Sequence, residues 1–252
     1  LDTQLVQNTA LSAYLANDTD AAATYYQRIA DAKVKGDSYT EIYHFLVDHY
    51  NQKKDFANRD KYLAIGLELY PDDPYWADVD WRDAGTDTQK KEAVLAKYPN
   101  DYSLYYNYAA ELFNSIYAVD QKPADYAAIQ AKLEDVAKKA IAIKPGPEAN
   151  LLLARHFYNM VYDLQDAASA IKGNKPDDVK KRNDLVAQMN KRFDDMLPYA
   201  TAAYNIFDAK QTLKPSEKGN FKVATNLIIS YWENKKDAAK TKQYQDKMKS
   251  LD

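Results

Sequence analysis

The sequence FANRDKYLAIGLELYP, residues 56–71, sets the fold class of this chain of 252 residues. Its apolar residues recur at helical spacing, and Pro71 ends the segment because proline cannot continue a helix. Helical segments of similar pattern recur at residues 22–32, 133–145 and 198–206. Because a repeated helical unit buries its apolar face against the next copy, this recurrence predicts a stack of helix pairs.

The composition agrees with an all-α fold and narrows the chemistry. Hydrophobic residues make up 46% of the chain, and a content of six glycines argues against barrels and sandwiches, which need glycine in turns. The lack of cysteine excludes disulfides, thiolate metal sites and a thiol nucleophile. No apolar run approaches the ~18 residues that cross a bilayer, so we expect no membrane span. Because residue 1 is leucine, we expect either a removed signal peptide or a trimmed chain.

The net charge of −3 is unevenly spread along the chain. Residues 1–100 carry 11 basic and 17 acidic side chains, whereas residues 210–252 carry 10 basic and 5 acidic ones. Nucleic-acid binding needs concentrated positive charge, so a nucleic-acid partner is not expected. We interpret the basic end of the chain as the solvated face of its last helix.

Turn signals divide the chain into six helix pairs. The dipeptides ND at residues 17–18 and DP at 73–74, and the tripeptide PGP at 145–147, each interrupt a helical pattern. Residues 86–89 (TDTQ) have the pattern of a capping box, and Pro198 is expected to kink a long helix without necessarily ending it. No low-complexity linker separates the units, which predicts a single domain over residues 1–252. The approximate units are 3–36, 39–72, 73–100, 101–145, 147–208 and 216–251.

The repeated pattern resembles the tetratricopeptide repeat family, in which small residues let helices approach and aromatics fill the space between pairs. The fourth unit carries it clearly, with Tyr105, Tyr108, Ala109 and Leu112 followed by Leu133, Ala137, Ala140 and Pro145. The resemblance implies a right-handed α–α superhelix of about six pairs.

The prolines make this array irregular. Pro71, Pro99, Pro145 and Pro215 are read as closing prolines at unequal spacing, and Pro123 is expected to open the second helix of the fourth pair. Long final helices with a segment such as MLPY at residues 196–199 look similar to repeat proteins exported by Bacteroidetes-type bacteria. That likeness implies an exported or periplasmic protein, with the cytoplasm as the alternative.

Catalytic and metal-binding patterns are lacking. His44 and His49 are five residues apart, about 140° around a helix, so they cannot share a metal ion. His44 and Asp48 could meet at the surface, while His156 has no ligand spacing around it. The sequence contains no phosphate-binding loop, no G-x-S-x-G and no H-E-x-x-H. We therefore predict no enzyme activity, no cofactor and no metal site.

The first helix of each pair is expected to line a concave groove. An asparagine at residue 107 or 226 could grip a peptide carboxylate, but Glu41, Asp48 and Glu148 argue against such a clamp. Leu151, Thr225 and Ile229 are also expected to face the groove. The predicted partner-binding residues are His44, Asp48, Tyr106, Asn107, Asn114, Arg155, Tyr158, Asn226 and Trp232.

Aromatic residues are the other unusual feature, with 22 tyrosines in the chain. Most are read as core residues, whereas Tyr106, Tyr158 and Trp232 are candidate contacts for a partner. Trp76 is expected in the core, with an exposed face beside Asp78 as the alternative. The predicted function is a non-catalytic scaffold that binds another protein or an extended peptide, with a monomer favoured. The alternative is a carbohydrate- or small-molecule-binding helical protein with aromatic stacking contacts.

Overall fold

The computed structural model describes residues 2–251, and within that range the fold is all-α. A short 3-10 helix, Asp37–Tyr39, precedes the third α-helix. The α-helices are α1 (Thr3–Leu15), α2 (Thr19–Asp31), α3 (Thr40–Gln52), α4 (Phe56–Leu69), α5 (Tyr75–Ala84), α6 (Thr88–Lys97), α7 (Tyr102–Tyr117), α8 (Tyr126–Ile143), α9 (Pro147–Ala170), α10 (Pro176–Asp208), α11 (Pro215–Asn234) and α12 (Ala238–Lys249).

The helices pack in pairs along the sequence: α1 on α2, α3 on α4, α5 on α6, α7 on α8, α9 on α10 and α11 on α12. Successive pairs also touch, because α2 contacts α3, α8 contacts α9, and α10 contacts α11. First helices of neighbouring pairs meet as well, α7 with α9 and α9 with α11. The predicted all-α architecture of six consecutive helix pairs is thus confirmed over residues 2–251.

The chain forms two compact units, Leu1–Tyr98 and Pro99–Asp252. The first contains α1 to α6, and the second contains α7 to α12. The boundary coincides with the break expected between the third and fourth helix pairs. The single domain expected over residues 1–252 stays a prediction.

Most helix ends lie where the turn residues place them. Asp18, Asp55 and Asp101 each accept a hydrogen bond from a backbone N–H in the first turn of the helix that follows. Asn17 and Lys54 adopt positive φ, which lets the chain reverse between the two helices of a pair. The capping and turn residues of the sequence therefore predict the ends of these helices to within a few residues.

Three expectations about helix ends are wrong. Asp87, rather than Thr86, caps α6, because its carboxylate accepts hydrogen bonds from the backbone N–H groups of Gln89 and Lys90. Pro215 does not close a helix but begins α11, where its missing N–H costs nothing. The helix expected to open at Pro123 begins at Tyr126.

The core of the first unit shows why a small residue lies within α4. Gly66 packs directly against Trp76 of α5, and a Cβ atom on residue 66 would lie 2.3 Å from Trp76 Cη2. Trp76 is 1% exposed, and its Nε1 donates to the carbonyl oxygen of Tyr70 over 2.8 Å. The core role expected for Trp76 is confirmed, and the exposed alternative is wrong.

The second unit is built around the long hairpin of α9 and α10. Phe157 and Met196 are fully buried, and Phe207 and Phe221 join α10 to α11. The helix α10 continues through Pro198, as predicted, and ends at Asp208. Nowhere in residues 2–251 is a helix both long enough and apolar enough to cross a bilayer.

Candidate functional site

A cavity of about 420 Å³ lies between α9, α11 and α12 in the second unit; we call it the α9–α11 cavity. Its walls combine guanidinium, ammonium, amide, hydroxyl and apolar groups. The lining residues are Arg155, Tyr158 and Asn159 of α9, Lys222, Val223, Asn226, Leu227 and Ser230 of α11, and Met248 of α12.

Three predicted groove residues meet in this cavity. Arg155 and Tyr158 are one turn apart on α9, and Asn226 lies on the facing side of α11. Residues three or four positions apart share one helix face, and packing of α9 on α11 turns their two faces toward each other. The structure thus brings together side chains separated by about seventy positions in the chain.

The charge of the α9–α11 cavity is positive. Arg155 and Lys222 contribute cations, and none of the nine lining residues carries a carboxylate. The guanidinium carbon of Arg155 lies 4.9 Å from the centre of the Phe113 ring, so an aromatic face supports it. The cavity is therefore suited to a ligand that brings negative charge or hydrogen-bond acceptors.

Tyr158 is held in place by its neighbours. Its hydroxyl lies 3.0 Å from Ser230 Oγ and accepts a hydrogen bond from the Tyr162 hydroxyl over 3.1 Å. The hydrogen bond with Tyr158 raises the pKa of Tyr162. The Tyr158 ring also packs edge-on against Phe193, at 6.1 Å between ring centres. This tyrosine thus offers a fixed surface, which limits the ordering cost of binding.

The predicted residues of α7 lie elsewhere on the second unit. Tyr106 is half-buried and stacks on Tyr102, with ring centres 5.7 Å apart and planes 6° from parallel. Burial is the main cause that raises the pKa of Tyr106. Asn107 and Asn114 are exposed. None of these three predicted residues lines the α9–α11 cavity.

Trp232 is covered by a cation. Lys240 Nζ lies 3.7 Å from the centre of the Trp232 ring system, and the indole Nε1 is buried without a hydrogen-bond partner. The expectation that Leu151, Thr225 and Ile229 face the groove is wrong, because all three are buried. Several helices pack against α9 and α11, so the accessible stripe on each is narrower than the sequence pattern indicates.

In the first unit, His44 and Asp48 are held by different partners. The His44 ring stacks on Tyr75 at 3.9 Å between centres, and its Nε2 lies 2.8 Å from Asp73 Oδ2. Asp48 instead pairs with Arg82, at 3.2 Å. The contact considered between His44 and Asp48 is therefore replaced by contacts to α5 and to the turn before it.

A second cavity, of about 570 Å³, lies in the first unit between the α1–α2 turn and α3; we call it the aromatic cavity. Its lining includes Asp48, which is one of the predicted binding residues, and the rings of Tyr14, Phe45 and His49, which are not. The sequence feature that could have indicated this cavity is the turn at residues 17–18, because it places the end of α1 beside α3.

The only histidine–carboxylate contact at the aromatic cavity joins His49 Nε2 to Asp20 Oδ1, at 3.3 Å, among the described residues. Burial lowers the pKa of His49, and Asp20 also pairs with Lys53 at 2.8 Å. No cluster of three metal-ligating side chains occurs in residues 2–251. The contact thus links α2 to α3.

These features define an all-α protein built from consecutive helix pairs. Among solved structures, a protein described as a TPR repeats protein from Bacteroides fragilis NCTC 9343 is similar, with 14% sequence identity and a TM-score of 0.49. The match covers 100% of this chain and 99% of the other.

Sequence comparisons add no family assignment. No family model matches the chain, and no curated protein matches it either.

Proposed function

We propose that the chain is a non-catalytic scaffold that binds an extended segment of another protein along α9 and α11. The observation that supports this is the meeting of Arg155, Tyr158 and Asn226 in one open cavity. Each was selected from the sequence as a residue of the accessible helix face. The proposal involves no reaction, no cofactor and no nucleic acid, and it takes the protein as a monomer.

The chemistry of the lining suits a peptide backbone. An asparagine side chain both donates and accepts hydrogen bonds, so Asn159 and Asn226 can each pair with a backbone amide of an extended segment. Val223, Leu227 and Met248 supply apolar surface for one side chain of the segment. Distributed contacts of this kind recognise a chain rather than a compact molecule.

We further infer that the bound segment presents a carboxylate. Arg155 and Lys222 lie beside Asn226 in the cavity, whereas Glu41, Asp48 and Glu148 are not among its lining residues. The acidic residues that argued against binding of a peptide carboxylate are therefore not part of this cavity. A guanidinium and an ammonium group attract a carboxylate more strongly where apolar groups limit access of water.

Selection of peptides from a random library, followed by titration calorimetry, tests the proposal. For a selected peptide, we expect Arg155→Ala and Asn226→Ala each to weaken binding about tenfold, because each removes a central contact. Asn183→Ala is the matched control, since Asn183 is exposed on α10 and does not line the cavity. If the selected peptides bind both cavity variants as tightly as the native chain, the assignment of the α9–α11 cavity as the binding site is wrong.

A carbohydrate or other small molecule is the second candidate ligand, and the aromatic cavity is the observation that favours it. Tyr14 and Phe45 meet edge to face at 5.7 Å, and Phe45 stacks on His49 at 5.6 Å. Asn17 and Gln52 add amide groups to the same lining. Saturation-transfer NMR with a panel of oligosaccharides, repeated on Phe45→Ala, distinguishes this candidate from peptide binding.

A further inference from the structure

A third cavity, of about 700 Å³, follows the hairpin of α9 and α10; we call it the hairpin trough. Apolar side chains dominate its walls, with Val161, Ala168 and Ile171 on the α9 side and Val186, Met189 and Phe193 on the α10 side. Val186 is 42% exposed, although it is one of the large apolar residues of α10. The trough is separate from the α9–α11 cavity, and the two share no lining residue.

The spacing of the lining residues is that of a surface against which a helix packs. On α9 the trough uses residues 161, 165, 168 and 169, with residues 171 and 172 just past the end of that helix, and on α10 it uses residues 182, 186, 189 and 193. The residues on α10 are separated by steps of four, three and four, which is the spacing of a stripe that faces a neighbouring helix in helical bundles. The stripe on α10 spans about 16 Å, or three helical turns.

The helix α11 lies against the same hairpin and ends at the trough. The hydroxyl of Tyr231 donates to Asp194 Oδ1 over 3.1 Å, and Asn234 Nδ2 donates to Asn190 Oδ1 over 3.0 Å. As α11 advances, its partners on α10 therefore have lower numbers. Asn234 is the last residue of α11 and lines the trough, so the groove continues toward residue 182 after α11 has ended.

The positive charge at one end of the hairpin trough favours an acidic partner. Lys172 and Arg182 line the end away from Asn234, and no lining residue carries a carboxylate. The Nη1 atom of Arg182 donates to the carbonyl oxygens of Ile171 and Gly173, over 3.0 and 2.6 Å, which fixes the guanidinium at this end. An occupant with acidic residues at the corresponding end is therefore complementary in both shape and charge.

We propose that the hairpin trough binds an amphipathic helix of a partner protein, with an apolar stripe about three turns long and acidic residues at one end. This helix would continue the line of α11 along α9 and α10. A second copy of the chain fits less well. The helix α1 exposes Leu5, Leu11 and Leu15, but it has no acidic residue between its first and last positions to pair with Lys172 and Arg182.

Fluorescence anisotropy with the full chain tests this proposal. The probe is a labelled peptide three turns long, with leucines on one face and glutamates at one end; a matched peptide has lysines in place of the glutamates. We expect the glutamate peptide to bind better, Val186→Asp to weaken its binding about tenfold, and Lys172→Glu to abolish the charge preference, because the new carboxylate offsets Arg182. Val179→Asp is the matched control, because Val179 is a similarly exposed valine of α10 outside the trough.

Several outcomes would overturn the proposal. Equal binding of the two peptides would show that the positive end of the trough does not select an acidic partner. Unchanged binding by Val186→Asp would show that the peptide binds outside the trough. A dimer in sedimentation experiments that Val186→Asp dissociates would identify a second copy as the occupant. Arg155→Ala separates this proposal from the function proposed above, because it should leave binding in the hairpin trough unchanged.

Discussion

His156 illustrates at the residue scale what burial does to a titratable group. Its Nδ1 lies 3.0 Å from the Tyr117 hydroxyl, which also accepts a hydrogen bond from Gln130 Nε2 over 3.0 Å. The Tyr117 hydroxyl and His156 Nδ1 are thus within hydrogen-bonding distance, whereas His156 Nε2 is buried without a partner. The side chain is inaccessible to solvent, and burial lowers the pKa of His156 to about 4.

This lowered pKa predicts acid sensitivity. In the unfolded chain histidine takes up a proton near its usual pKa of about 6.5, whereas native His156 stays neutral down to about pH 4. Below pH 6.5 the unfolded state binds more protons, so the free energy of unfolding falls as the pH decreases from 6.5 to 4. The difference between these two pKa values corresponds to a loss of about 3 kcal/mol.

Urea denaturation at several pH values measures this effect. We expect the native chain to lose more stability between pH 7 and 4 than His156→Asn, a variant that cannot titrate in this range. Burial also lowers the pKa of His49, which contributes with the same sign, so the comparison uses the difference between the two proteins. Equal pH dependence in both would show that His156 is not the source.

At the element scale, the ends of helices follow local chemistry, and α6 is informative because its cap differs from the expected one. The sequence TDTQ offers two candidate caps one residue apart, Thr86 and Asp87. Backbone geometry decides between them, since Asp87 has extended φ and ψ of −74° and 108°. Its carboxylate reaches two N–H groups, at 3.0 and 3.1 Å, which otherwise lack partners at a helix start.

We predict that Asp87→Ala lowers the free energy of unfolding by about 1 kcal/mol, the usual cost of losing an N-cap. Thr86→Ala is the matched control and should change it by no more than a few tenths of a kcal/mol, because Thr86 is exposed and makes no capping hydrogen bond. Equilibrium urea unfolding of both variants compares them directly. An equal cost for the two substitutions would contradict the assignment of the cap.

At the scale of the whole molecule, each compact unit has its own core. Tyr43, Tyr62 and Trp76 are fully buried in the unit Leu1–Tyr98, and Phe157 and Phe221 are fully buried in the unit Pro99–Asp252. All nine residues that line the α9–α11 cavity, and all eleven that line the hairpin trough, belong to the second unit. The two proposed binding surfaces therefore depend on the core of that unit.

We accordingly predict that the fragment of residues 99–252 folds by itself. It should show a helical circular dichroism spectrum and a single cooperative urea transition, because it retains a complete hydrophobic core. The fragment of residues 1–98 provides the comparison. A non-cooperative transition in residues 99–252 would mean that its core is incomplete without the rest of the chain.

The sequence by itself determined the helices and their pairing, because helical periodicity, caps and prolines act between residues close together in the chain. It also placed Arg155, Tyr158 and Asn226 on accessible faces, although the same reasoning was wrong for Thr225, which packing of other helices against α11 buries. Only the tertiary structure decided which faces meet, where α11 ends on the hairpin, and that Gly66 admits the ring of Trp76. Those outcomes depend on contacts between distant segments, and the spacing of residues along one helix carries no information about them.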